Sequence, residues 1–292
     1  MNNKGVVLIV MMWVLVILAL IAWGLGRRSS LEVSLLETYR GKSRAYEAAR
    51  DGINSILDLL QKSPSPKDTL YATGISVEQV KSLKGVMVQL RDEGGRINVN
   101  ALGAAHYQVL SALFELKGLS RSEADKLALS IVGPGPALKP RKGPYENVLE
   151  LLEAEGMTQE LFDKIKDDVT VYGDIQRGLR VNVDTANNDV IQAVAQAAAR
   201  LDPFINASDV IAQAYAVRDG ADGRSFTPDD GAGSVRDINR PNWPAALRED
   251  RSNYYRARVV GLDDRSGART VLEAVIHSTP GSPGEILSWQ RD

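Results

Sequence analysis

The sequence predicts an α+β fold, on three observations. Residues 6–62 run without a proline, first wholly apolar and then with helical periodicity. Residues 101–200 are dominated by helical spacing. Strand-like alternation is confined to residues 86–99, a short piece at 180–183 and the end of the chain, from residue 253 onward. Helical and strand-like segments that are segregated along the chain, and do not alternate regularly, separate α+β from α/β chains.

The first element follows "MNNKG": the stretch Val6 to Leu25, "VVLIVMMWVLVILALIAWGL", has no charge. Twenty residues at ~1.5 Å each match a hydrocarbon layer of ~30 Å, so this is a membrane span. A cleaved secretory signal would have a shorter apolar region of ~7–15 residues and a small-residue site, whereas Arg27 and Arg28 follow directly here. Lys4 and the amino terminus oppose those arginines, so the count of flanking cations is nearly balanced.

The helix continues beyond the membrane. Leu31, Leu35, Tyr39, Tyr46, Ala49, Ile53, Ile56 and Leu60 recur at spacings of three, four and seven, with Glu32, Arg40, Arg44, Glu47 and Arg50 mostly between them. "SPSP" after Lys62 stops it, giving a rod of about fifty-five residues, ~80 Å long.

Next comes a phrase used twice. "RINVN" (96–100) and "RVNVD" (180–184) each follow a glycine and precede a helical stretch. Val86, Val88 and Leu90, then "DEGG", then Ile97 and Val99 predict a β-hairpin. Asn100 is expected as N-cap of a helix over 101–117, and Asp184 or Thr185 as cap of the alanine-rich helix that follows. Asparagine and aspartate at such joints satisfy unpaired backbone groups, so the repeat is expected to be a reused strand-to-helix joint rather than a ligand site.

Between the copies, helical patterns over 101–117 and 120–132 lead through the loop "GPGPALKPRKGP" to two short helices hinged at Gly156 and Met157, a helix-hairpin-helix shape. Such units also bind DNA. The charge argues otherwise: Tyr145 to Asp168 holds eight acids against Lys164 and Lys166, and Lys139, Arg141 and Lys142 upstream suit a solvated loop.

After residue 201 the pattern loosens. Asp219, Asp222, Asp229 and Asp230 lie among glycines and are candidate oxygen ligands for calcium, without the regular alternation of a dedicated loop. Three strand-like pieces, "NYYRARVVGLDD", "ARTVLEAVIHS" and "GEILSWQRD", end the chain. The formal charge of −2 supplies no general field for a polyanion, and the absence of cysteine removes disulfides, thiolate metal sites and cysteine nucleophiles together. His106 and His277 stand alone, so no catalytic constellation emerges and no enzyme is expected.

A short charged leader ending in Gly5, an apolar helix from Val6 and its amphipathic continuation resemble the type IV pilins and type II secretion pseudopilins. The resemblance implies cleavage between Gly5 and Val6 by a prepilin peptidase and methylation of the new terminus. Val10 stands where major pilins carry a glutamate. That absence, with the phrases over Asp92 to Asn100 and Val181 to Ala186, resembles the K-type minor pseudopilins (the GspK family). The implied fold is a pilin-like long helix, transmembrane then amphipathic, on an antiparallel sheet built from both ends of the chain, with an all-helical domain inserted between them. The boundaries implied are 1–5 leader, 6–25 transmembrane helix, 26–100 pilin-like helix and first β-hairpin, 101–250 inserted helical domain with a loop-rich segment, and 251–292 C-terminal strands. The implied role is at the tip of a pseudopilus that serves protein export. Partners would be the I- and J-type minor pseudopilins, the major pseudopilin and the prepilin peptidase, with the chain anchored by one span in the inner membrane, its bulk in the periplasm, and no nucleic acid bound. The alternative is a membrane-tethered DNA receptor of the competence type, which shares one span, "N-x-N-T-A" and a helix-hairpin-helix but favours a Gly-x-Gly hairpin and a basic surface.

Overall fold

The computed structural model describes residues 3–62, 86–103, 106–133, 144–220, 223, 243–247, 253–279 and 282–291. The first helix, α1 (Asn3–Lys62), is continuous over 60 residues, about 90 Å. Val7–Gly24 within it is long and apolar enough to cross a membrane, and none of that window is buried against the rest of the chain. Val33, Leu35, Leu36 and Tyr39 are still exposed. Among the residues whose burial is described, it begins at Gly41 and recurs at Ala45, Ala49, Gly52, Ile53, Ile56 and Leu60, the three-and-four spacing of a single helix face.

That face lies on a four-stranded antiparallel sheet. The strands are β1 (Val86–Asp92), β4 (Tyr254–Leu262), β5 (Arg269–His277) and β6 (Glu285–Arg291), in spatial order β1-β4-β5-β6. Period-two alternation turns Leu90, Tyr255, Ala257, Val259, Leu272, Ala274 and Ile276 toward α1, where they form one core with its buried side chains. A fully buried isoleucine such as Ile53 contributes about 1.5–3 kcal/mol here. Close approach is set by glycines: a Cβ on Gly261 would overlap the Ala45 carbonyl and sit 2.7 Å from the Ala49 amide, so helix and strand backbones meet there. The β4–β5 turn is pinned to α1 by Arg44, which donates to both oxygens of Asp263 at 2.9 and 3.0 Å. Arg44, and then Ser266, hold the Asp263 carboxyl well below the usual carboxylate range.

Between β1 and β4 the chain builds a second core. Its helices are α2 (Tyr107–Leu116), α3 (Arg121–Val132), α4 (Gln159–Ile165), α5 (Asn188–Leu201) and α6 (Ala207–Arg218), with a 3₁₀ segment at Val148–Glu153. Leu110, Leu113, Phe114, Leu127, Ile165, Ile191 and Val194 are among its buried side chains. Ser120 and Glu123 form a capping box at the start of α3, which fixes the entry into that helix. Gly156, with φ +93, joins the 3₁₀ segment to α4 in a conformation that only glycine adopts readily.

Several expectations are corrected. The hairpin over 85–100 does not form. β1 pairs with β4, while β2 (Ile97–Asn98) pairs in parallel with β3 (Val169–Thr170), so the insertion also carries a two-stranded sheet and is not wholly helical. "DEGG" is a 3₁₀ turn that hands the chain from one core to the other. Asn100 caps nothing; α2 starts only at Tyr107, and the cap of α5 is Asn187, beyond Asp184 and Thr185. "RVNVD" makes no regular strand: Val181 and Asn182 donate to Ala246 and Gly94 instead. The loosened region after residue 201 contains α6, capped by Asn206.

Candidate functional site

The two copies of the repeated phrase meet each other at the seam between sheet and insertion. Asp92, the last residue of β1, accepts hydrogen bonds from Gly94 N (2.7 Å), Asn182 Nδ2 (2.8 Å) and Thr185 Oγ1 (2.7 Å), and Asn182 N donates to Gly94 O (2.7 Å). Within each copy the first asparagine folds back on the residue two ahead, Asn98 Oδ1 accepting from Asn100 N and Asn182 Oδ1 from Asp184 N, the same asparagine turn twice. Asn100 uses its whole amide, donating to the carbonyls of Tyr145 and Val171 and accepting from Tyr145 N. These side chains bond chiefly to backbone groups of the seam.

Beside them lies a buried carboxylate that the sequence did not single out. Glu93 is fully buried. It accepts from Arg256 Nε of β4 at 2.7 Å, lies 3.2 Å from Arg96 Nη1 and accepts a short hydrogen bond from Thr170 of β3. Burial alone would raise its pKa, but Arg96 and Arg256 outweigh that and hold the carboxyl below the usual carboxylate range. Arg256 also bonds Glu273 of β5 at 2.6 Å. The cluster ties β4, β5, the 3₁₀ turn and β3 into one unit.

In front of this cluster is a cleft of about 500 Å³. Its floor is the sheet face turned away from α1: by register, Gln89, Arg258, Glu273 and Gln290 form one cross-strand row, and Arg91, Arg256, Val275 and Ser288 the next. Its wall is the insertion, from the exposed Leu149 to Lys166, Asp167 and Tyr172. Arg91 bonds Asp167 across the mouth at 3.0 Å, and both side chains are about half exposed or more. The nearest sequence signal was the i, i+2 pair Arg256 and Arg258 in "YRARVV", which places two guanidiniums on one strand face.

The site residues expected from sequence fall elsewhere. Gly5 and Val6 are helical within α1, more than thirty residues before its first buried position at Gly41. Of the calcium candidates, Asp219 is ion-paired with the adjacent Arg218 at 2.6 Å, and Asp222, Asp229 and Asp230 lie outside the described residues. Among the described residues no three His, Asp or Glu side chains group as a metal site. His106 is exposed ahead of α2, and His277 stacks on Tyr254 with ring centroids 4.6 Å apart. In the helix-hairpin-helix-shaped unit Glu146, Glu153, Glu155, Glu160, Asp163 and Asp167 are all exposed, so its surface is acidic. Lys139, Arg141 and Lys142 lie outside the described residues.

A long N-terminal helix, apolar and unburied over Val7–Gly24, then packed along one face of an antiparallel sheet, is a pilin-like fold. The chain is similar to one in the crystal structure of the GspK-GspI-GspJ complex from the enterotoxigenic Escherichia coli type 2 secretion system, with a TM-score of 0.54 and 16% identity, covering 91% of this chain and 99% of that one. No protein-family model and no curated protein matches the chain.

Proposed function

We propose that this chain is a K-type minor pseudopilin of a type II secretion system, anchored in the inner membrane with its bulk in the periplasm. In this reading it joins the I- and J-type minor pseudopilins in a tip complex that primes pseudopilus assembly, and it has no catalytic activity of its own. The observation that carries the reading is the reach of the structural likeness. The 9% of 292 residues left unmatched, about 26, is far smaller than the insertion between β1 and β4, so the likeness takes in the inserted domain as well as the helix and sheet. The bulk of that insertion and Val10, which offers no carboxylate to a neighbouring amine in lipid, both suit an end position better than the repeating interior of a filament.

The reading expects a prepilin peptidase to cut between Gly5 and Val6. Mass spectrometry of the protein extracted from membranes should give an N-terminus at Val6, and an intact Met1 or a cut beyond Gly24 would sink it. The processed chain, co-expressed with the I- and J-type subunits, should co-purify with them at one copy each. Filaments formed by this chain alone would contradict that.

The competence-type receptor makes the opposite prediction about DNA. With six exposed carboxylates on its helix-hairpin-helix-shaped unit, the full chain in detergent should bind duplex DNA no better than ~10⁻⁴ M at physiological salt. A salt-dependent submicromolar affinity would favour the receptor.

A further inference from the structure

The geometry points to a peptide-binding role for the cleft between the sheet and the inserted domain: it takes an extended, acidic segment of a protein partner, and Asp167 holds the place of that segment's carboxylate when the cleft is empty. This inference stands on the cleft itself, and it holds whether or not the chain is a K-type subunit.

The floor carries Arg91, Arg256 and Arg258 on two adjacent strands, Arg91 and Arg256 directly opposite each other in register. Like charges so placed repel unless carboxylates lie between them. Arg256 is answered from within, by buried Glu93 and by Glu273. Among the described residues, Arg91 is answered from the solvent side, by Asp167, which also lies 3.8 Å from Arg96. Asp167 is 64% exposed and Arg91 48%. An ion pair that open is worth about 0–1 kcal/mol, so an incoming carboxylate exchanges with it at little cost. Arg256 and Arg96 stay held by Glu93.

The remaining chemistry matches a peptide. The side chains of Gln89, Ser288 and Gln290 line the floor and have the amide and hydroxyl groups to bond a main chain, while Leu149, 57% exposed at the rim, offers an apolar contact. A volume of about 500 Å³ at a domain junction is within the general range of ligand-binding pockets. A nucleic acid is disfavoured: the element that walls the cleft carries six exposed acids over 146–167, which would repel a polyphosphate, whereas one or two carboxylates can be matched by the local guanidiniums.

The test uses the full chain in detergent and a fluorescein-labelled, end-blocked peptide of alternating Leu and Glu, read by anisotropy. Saturable binding is expected, about tenfold weaker for the Leu/Gln counterpart and again about tenfold weaker for the chain carrying Arg91→Gln with Arg258→Gln, because charge-assisted bonds are lost. Asp167→Asn should tighten binding several-fold, a gain that a purely structural aspartate would not give. All three side chains are exposed, so unchanged circular dichroism should accompany each variant. The inference is overturned by an absence of saturable binding to the wild-type chain, by indifference to the arginine pair, by binding that Asp167→Asn leaves unchanged or weakens, or by displacement of the peptide by duplex DNA.

Discussion

Glu93→Gln is expected to destabilise the protein by about 3–5 kcal/mol, because it strips the fully buried counter-charge from two largely buried guanidiniums. Glu93 has no exposure, and Arg96 and Arg256 converge on it with Thr170. Urea unfolding of the full chain in detergent would measure the loss, and a value under about 1 kcal/mol would show that Glu273 and Asp167 suffice to hold the arginines. Adding Arg256→Met should cost less than the sum of the two single changes, since the partners share one network. The pH dependence has a defined sign. The Glu93 carboxyl is depressed in the folded state, so its contribution is complete above the unfolded carboxylate value of about 4.3 and disappears as pH falls through the lower folded value. The wild-type protein should therefore lose stability more steeply than Glu93→Gln below about pH 4.

Gly261→Ala is the second large effect expected, at about 3 kcal/mol or more. The new methyl would meet backbone atoms of Ala45 and Ala49 on α1, and backbone in the middle of a helix cannot turn aside as a side chain can. Gly52→Ala makes the useful contrast. Its methyl would lie 2.7 Å from a methyl of Val259 and 2.9 Å from one of Val86, both of which can shift, so the loss should be smaller, about 1–2 kcal/mol. Equal losses at the two positions would mean that helix and sheet separate as rigid bodies.

Much of the fold was legible because its signals are local. The charge-free run from Val6, the three-and-four spacing to Leu60 and the alternation in β4, β5 and β6 are each complete within one element. The hairpin was misread for the same reason. "VMVQLRDEGGRINVN" contains every local mark of a hairpin, yet β1 finds its partner at Tyr254–Leu262, far along the chain, and tertiary pairing overrides turn chemistry. The helix α6 escaped notice because its apolar residues form only a weak stripe and the surrounding glycines suggest a loop. The junction cluster was illegible in principle. Glu93 and Arg256 stand 163 positions apart, and no period in the sequence joins an acid in a turn to a base in a distant strand.

The insertion leaves the sheet at Asp92 and returns at Tyr254, and Asp92 lies opposite Tyr255 in the β1–β4 ladder. In mechanical terms it hangs from the open end of a fork whose tines are β1 and β4. A load applied to α1 would shear many contacts at once along the helix. A load applied to the insertion would instead pull the tines apart and break the ladder bond by bond, which is the weaker way to stress a sheet. The hydrogen bonds of Asp92 to Asn182 and Thr185, with the ion pair of Glu93 and Arg256, sit at the mouth of that fork. They act as its clasp, so force reaching the inserted domain is borne first by the buried polar cluster and only afterwards by the strands.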